Sequence, residues 1–371
     1  MLSLVNEGTR PPGPSLDAVP LVALVLHHRS LARPRMMPSV SPSPPLSSAA
    51  DNACAVSVLI ANWNGTALLG DCLGSLYQYT RDVGYEVILA DDCSTDHSVE
   101  FVRQHFPQVR IHVNPTNLGF ARTNNAALPL VRGRHLFLLN NDTVLQNDAL
   151  AELAGLLDRH PNVGICGGRL FNPDGSQQHS CGSFPSVATE LGSLLSLRRH
   201  GLFRRWPNLA EIPAPDETLR TVDYIVGADL MIRTSLARQL GLFDLGFAAY
   251  FEDADLCARV RQSGHQVMCT SASRITHLVG QSYGNDRTGP GERKTRLFEA
   301  GFVRFCRRHY PSARVRLILA LRIAGFQKKI ASLRSRLSYE PVARRPRVER
   351  ALASARLSLA ALRDAIRAPV D

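Results

Sequence analysis

From residue 55 the sequence alternates regularly between short aliphatic, β-branched runs and longer stretches of helical spacing, and this alternation limits the fold more than any other feature. The runs Val56–Ala61, Glu86–Ala90, Val109–Val113 and Leu136–Leu139 read as strands buried on both faces, as in the interior of a parallel sheet. Helical spacing marks Ala67–Gln78, Ser98–His105, Ala121–Val131 and Asn147–His160; in the first, Leu68, Cys72, Leu73 and Leu76 share one face. Strand and helix in this order predict an α/β fold built on a parallel sheet. Ligands are then expected at the carboxyl ends of the strands.

The flanks differ. Residues 1–52 are rich in Pro and Ser, show no periodicity and read as a disordered lead-in. Within them, Leu21–Leu26 is too short and too poorly flanked for a signal peptide. Residues 163–234 are less regular, with a hairpin turn expected at Asn172-Pro173-Asp174-Gly175 and a Pro- and Arg-rich loop over 198–215. A helix follows from about Asp253 to Ser263. Beyond Val315 two apolar stripes of helical period appear, Val315 through Leu337 and Val348 through Ile366. The chain divides on this reading into the lead-in, a domain over 53–312 and a helical tail over 313–371.

Eight cysteines form no C-x-x-C pair and read as buried apolar residues of a reducing compartment, with no zinc or redox site. No apolar run reaches the roughly 18 residues of a membrane span. The net charge of +11 suggests an anionic partner, but its position matters: residues 291–371 carry +14, which leaves −3 on the rest. Basicity therefore bears on where the protein sits. The first tail helix combines its stripe with arginines and lysines, as suits an anionic membrane surface. Both helices equally suit packing on the main domain or against another subunit of a homo-oligomer. The tail lacks the interleaved aromatics of a nucleic-acid binder, so no nucleic acid is expected.

Polar residues gather where the strands end: Asn62-Trp63-Asn64-Gly65, Asp91-Asp92-Cys93-Ser94-Thr95-Asp96 and Asn140-Asn141-Asp142. A carboxylate on such a rim can accept from a nucleobase or ribose, or hold a divalent ion across phosphates. Asp96 also suits a helix cap. Glu252, Asp253 and Asp255 crowd the start of a helix, where like charges raise one another's pKa and suit proton transfer near neutral pH. They equally suit solvated carboxylates at a helix N-terminus. His277 stands in Thr276-His277-Leu278-Val279-Gly280-Gln281-Ser282.

Taken in order, these blocks resemble the family 2 glycosyltransferases of GT-A-type fold, in particular the bacterial rhamnosyltransferase-like branch. The resemblance spans roughly Val56 to Ser282. It is carried by VSVLIANWNG, VILADDCSTDHS, NPTNLGFARTNNAA, FLLNNDTV, FNPDGSQQHSCGSFP, GADLMIR, LGLFDLGFAAYFEDADLCARVRQSG and HLVGQS. It implies a Rossmann-like, mostly parallel sheet with flanking helices and a helical C-terminal extension. Asp91 would read the base of a nucleoside-diphosphate sugar, with Asn62, Asn117, Gly119, Phe120 and Asn141 lining the nucleotide pocket. Asp142 matches the last carboxylate of the family's D-x-D-like motif, there to bind Mg2+ or Mn2+, and His277 a position that completes that site. Asp253 falls on the catalytic base, with Glu252 beside it. The metal block departs from the pattern in holding one carboxylate only.

The implied reaction is an inverting in-line displacement, with dTDP-rhamnose as the preferred donor and a glycan or lipid-linked glycan of cell-envelope synthesis as acceptor. The implied location is cytoplasmic, peripheral on the inner face of the plasma membrane. Two rivals are a nucleotidyltransferase, against which the lack of a Gly-rich, Lys-bearing phosphate loop speaks, and an inactive sugar-nucleotide-binding protein.

Overall fold

A computed structural model describes residues 54–197, 207–210, 218–278 and 291–369. The expected lead-in, nearly all of the 198–215 loop and the end of the HLVGQS block lie outside the described residues.

The first half follows the alternation closely. β1 (Val56–Asn62), α1 (Thr66–Tyr79), β2 (Tyr85–Asp91), α2 (Ser98–His105), β3 (Arg110–Val113), α3 (Phe120–Ala127) and β4 (His135–Asn140) come in turn. Successive residues of β1 point to opposite faces, Val58 and Ile60 into one apolar cluster and Leu59 into another, so the sheet is covered on both sides. The third helix is shorter than its spacing predicts. It ends at Ala127, and a 3-10 turn takes Leu128–Leu130, since Pro129 has no N–H to extend an α-helix.

The chain continues through β5 (Thr143–Leu145), α4 (Ala149–Arg159), β6 (Val163–Phe171), β7 (Cys181–Gly182) and α5 (Val187–Leu195). Helix α4 starts at Ala149 because the Asp148 carboxylate caps it, accepting from Ala151 N–H at 3.0 Å. After β8 (Leu219–Thr221) and β9 (Tyr224–Ile225) come β10 (Asp229–Arg233), α6 (Thr234–Leu240), α7 (Glu252–Gln262) and β11 (Gln266–His277). The main sheet runs β3-β2-β1-β4-β10-β6-β11-β5, with β8 also on β11. β1 to β4, β6 and β11 share one direction, while β5, β8 and β10 oppose them. The sheet is mostly parallel, of GT-A type, with flanking helices and a helical C-terminal region.

That region consists of α8 (Glu292–His309), α9 (Ser312–Tyr339) and α10 (Arg345–Arg367). The first tail stripe is divided in its use. Val315, Ile318 and Leu319 are buried in one cluster with Phe247, Phe251, Phe302, Phe305 and Leu362, whereas Ile330, Leu333 and Leu337 stay half-buried. Val348, Leu352, Ala355, Leu359 and Leu362 of the second stripe are buried within the chain itself. Arg322, one of the cations assigned to a lipid-facing surface, is only 9% exposed. Its guanidinium forks onto both oxygens of Glu299 at 2.8 and 2.9 Å, reaches Glu190 of α5 at 3.3 Å and lies 3.9 Å over the Phe302 ring. All eight cysteines are free, and six are buried. No described helix is long and apolar enough to cross a membrane.

Candidate functional site

Strand register builds the rim. Asn62 pairs with Asp91 across β1 and β2, and Ala61 with Asn140 across β1 and β4, so the three polar blocks emerge side by side. Asn62 Nδ2 donates to Asp91 Oδ2 at 2.9 Å, and Asn62 Oδ1 accepts from Asn141 Nδ2 at 2.8 Å. A Cβ on Gly65 would stand 2.3 Å from both atoms of that second bond, so only glycine fits beneath it. Asp91 is buried, and its carboxylate also accepts from Ser94 N–H at 2.9 Å and Ser94 Oγ at 2.6 Å. Three of its roughly four acceptor directions are thus filled.

Asp96 is a cap. Its carboxylate accepts from Thr66 N–H at 2.9 Å and Ser98 N–H at 3.1 Å, holding the first turns of α1 and α2 together. Burial opposes ionisation, but the Ser98 hydroxyl, together with those donors, keeps its pKa below the ordinary value. Asp92, without an expected role of its own, organises the 114–120 turn: it accepts from Leu118 N–H at 2.7 Å, Gly119 N–H at 2.8 Å and Asn114 Nδ2 at 3.0 Å. Gly119 turns there at φ 82°. Phe120 opens α3 with its ring 5.5 Å from that of Phe243. Asn117 and Arg122 are exposed, Arg122 beside a cleft lined by Leu118 and Leu245.

β11 brings His277 to the rim by pairing with β5, where it stands opposite Thr143. His277 Nε2 lies 3.2 Å from Oδ1 of Asp142, a buried oxygen with no hydrogen-bond donor among the described residues. Two lone-pair donors converging on one point, one of them an orphaned carboxylate oxygen, suit a divalent cation. The set is small, and among the described residues no group of three or more His, Cys, Asp and Glu is placed to hold a metal ion. Mg2+ and Mn2+ tolerate such a set when substrate phosphates and water complete the shell.

Glu252 and Asp253 open α7 behind two consecutive left-handed residues, Tyr250 at φ 64° and Phe251 at φ 70°. Strain of this kind collects at functional sites. Gly301 of α8 makes room for it, since a Cβ there would lie 2.6 Å from Tyr250 O. Both residues keep part of their surface exposed, while their carboxyl groups are buried. Burial, then the charge of Asp253, pushes Glu252 up to about 8, and one of its oxygens is buried without a partner among the described residues. Burial also raises Asp253, opposed by N–H donation from Gly227 at 3.0 Å and Ala254 at 2.7 Å. Asp253 is therefore the member of the pair whose oxygens both receive backbone donors. Asp255, two residues on, belongs to the packing: it is fully buried among Arg259, Arg308 and His309.

The model of glycosyl transferase family 2 matches residues 57–238, and the chain is a family 2 glycosyltransferase. It is similar to the N-acetylglucosaminyl-diphospho-decaprenol L-rhamnosyltransferase of Mycobacterium tuberculosis, at 26% identity over 54% of this chain and 68% of that one. An O-antigen biosynthesis protein of Myxococcus xanthus is 27% identical over 60% of this chain and 17% of its own length. An uncharacterized Sinorhizobium fredii protein is 26% identical over 63% of this chain, which spans only a quarter of it. In fold the chain resembles a Pyrobaculum calidifontis mannosyltransferase solved in complex with GDP-Man and Mn2+, with TM-score 0.55 and 15% identity over 87% of this chain and 91% of that one.

Proposed function

We propose that the chain transfers a sugar, with rhamnose the first candidate, from a nucleoside diphosphate to a lipid-linked glycan with inversion at the anomeric carbon. The observation that carries this reading is the backbone link between the two halves of the site. Gly227 N–H holds Asp253, and the next residue, Ala228, accepts from Asn140 N–H at 3.3 Å. Base and strand rim are thereby fixed to one dipeptide.

In this reading the remaining acceptor direction of Asp91 meets the base, and Asn62, Asn141 and the Asn117–Phe120 turn line the nucleotide. Asp142 and His277 hold Mg2+ or Mn2+. The bound cation supplies electrostatic stabilisation of the diphosphate leaving group. Asp253 accepts the proton of the acceptor hydroxyl as that oxygen attacks, while Glu252 stays protonated at neutral pH and offers its free oxygen to the acceptor. The Mn2+ of the archaeal mannosyltransferase and the lipid-linked acceptor in the mycobacterial relative's name support these choices. The test is a thermal-shift screen of nucleoside diphosphates and their sugars with and without Mn2+, followed by NMR of the product's anomeric configuration. Stabilisation by a dTDP-sugar and an inverted product are expected; a retained configuration overturns the mechanism.

A lipid-linked acceptor calls for access to a membrane surface, on the inner face of the plasma membrane in this reading. With the start of the α9 stripe used in packing, the contact falls to the turn joining α9 and α10. Tyr339 and Val342 are 72% and 76% exposed there, close in sequence to Arg344, Arg345 and Arg347. Aromatic and basic side chains together suit an anionic headgroup layer.

A further inference from the structure

Gln178, just beyond the Asn172–Gly175 turn, grips residue 277 twice with one side chain. Its Nε2 donates to the His277 carbonyl at 2.6 Å and to Asn172 Oδ1 at 2.8 Å. Asn172 Oδ1 is itself fixed, since Asn172 Nδ2 donates to Ser176 Oγ at 2.8 Å. Turning the Gln178 amide over would set its oxygen against two acceptors, so its orientation is determined. Gln178 Oε1 then faces His277 Nδ1 at 3.2 Å. A carbonyl oxygen only accepts, so Nδ1 carries the proton. In the neutral form of the ring, Nε2 then keeps a bare lone pair. Asn140 Nδ2 lies 3.4 Å from that atom, as suits an acceptor there, and Asp142 Oδ1 faces it at 3.2 Å without a donor of its own.

We propose that Gln178 is the positioning residue of the cation seat: it selects the His277 tautomer and ring orientation that aim Nε2 and Asp142 Oδ1 at the same divalent ion. The inference rests on the reading of Asp142 and His277 as cation donors. The fold brings the parts together because β11 pairs with β6 on one side, which leads into the Gln178 hairpin, and with β5 on the other, which follows Asp142. An amide is the group for this position. It donates to the backbone carbonyl and accepts from the ring at once, which neither a carboxylate nor a hydrocarbon does.

The tautomer can be read directly from long-range 1H–15N spectra of the metal-free protein labelled at histidine, with His277 assigned through His277→Asn. The wild type should show the Nδ1–H form. Gln178→Leu should populate the Nε2–H form, and Gln178→Glu, which keeps the acceptor, should restore Nδ1–H. Titration with Mn2+ alone should broaden the His277 ring signals, with roughly tenfold more Mn2+ needed in Gln178→Leu. Melting curves of both variants check that each is folded. An Nε2–H ring in the wild type, or an unchanged tautomer in Gln178→Leu, overturns the proposal. A ring that follows Gln178 but is untouched by Mn2+ in the wild type overturns the cation reading alone and reduces Gln178 to an anchor of His277.

Discussion

Asp253 Oδ2 accepts the backbone N–H of Gly227 at 3.0 Å, and a Cβ on Gly227 would sit 3.6 Å from that of Asp253. The carboxylate thus lies close against the turn before β10, and its position is set by a main-chain donor that substitution of Asp253 leaves in place.

Asp253→Asn should therefore keep the Gly227 bond through its amide oxygen and lose the proton acceptor. Turnover is expected to fall by about 10²–10⁴-fold. Binding of the nucleotide sugar, followed by calorimetry, should be unchanged. Near-normal transfer would remove Asp253 from the base role.

Two buried carboxyls give stability a definite pH dependence. Asp229 of β10 is fully buried, accepts only from Gly168 N–H at 2.7 Å and is pushed up to about 8 by burial; Glu252 rises to a similar value. Both folded pKa values lie above the unfolded ones, so the folded chain keeps protons that the unfolded chain has released. Their contribution is complete below the ordinary carboxylate range and is lost as pH rises to about 8. The melting temperature should decline over that window. Asp229→Asn and Glu252→Gln should each flatten the decline, by the equivalent of about 1–3 kcal/mol at the alkaline end. A wild-type profile already flat would contradict the assignment.

Arg322→Met leaves Glu299 and Glu190 buried beside each other without their cation. Urea denaturation should report a loss of about 3–5 kcal/mol. Adding Glu299→Gln should recover part of it, because the two substitutions remove members of one network.

Gly301→Ala tests the turn ahead of Glu252 and Asp253. The added methyl meets Tyr250 O at 2.6 Å. A stability cost of about 1–3 kcal/mol is expected from overpacking. Activity should suffer more than stability because the same turn aims Glu252. Unaltered kcat together with a lowered melting temperature would assign Gly301 to packing only.

Charge reversal of Arg344, Arg345 and Arg347 to Glu should abolish flotation with anionic vesicles and leave the melting temperature intact. Removing the tail instead would strip Val315, Ile318, Leu319 and Leu362 from a shared core and confuse the result. Flotation that survives the reversal would exclude the α9–α10 turn as the contact.

β1, β2 and β4 were legible because each is a run apolar on both faces, and the rim followed because parallel strands end together; β3, expected to be buried on both faces, is instead the half-buried to exposed edge strand Arg110-Ile111-His112-Val113, legible only by its place in the alternation. β6 was not. Its Gly164, Gly167 and Gly168 break the aliphatic signal, yet they are needed: a Cβ on Gly167 would meet Ile225 at 2.4 Å, and one on Gly168 would meet Ser273 at 2.4 Å. The antiparallel insertion of β10 between β4 and β6 is likewise a tertiary choice that no local period encodes. Asp92 could have been found from the Asp91-Asp92 doublet, one side chain for each face of β2's end. Gln178 left no signal, because its partner is 99 residues away.

The distance in sequence between Asn140 and His277, 137 residues, has a consequence for synthesis. β1 to β4 can pair as soon as they leave the ribosome, and the nucleotide half of the rim forms with them. The proposed cation seat waits for β11, which must find its place between β6 and β5 at high loop-closure cost. A nascent or damaged chain that stops short of this strand holds the proposed nucleotide face but lacks the histidine and, when it stops before α7, the proposed base as well. Chemical competence thus comes late in the life of each chain, after the sheet is complete.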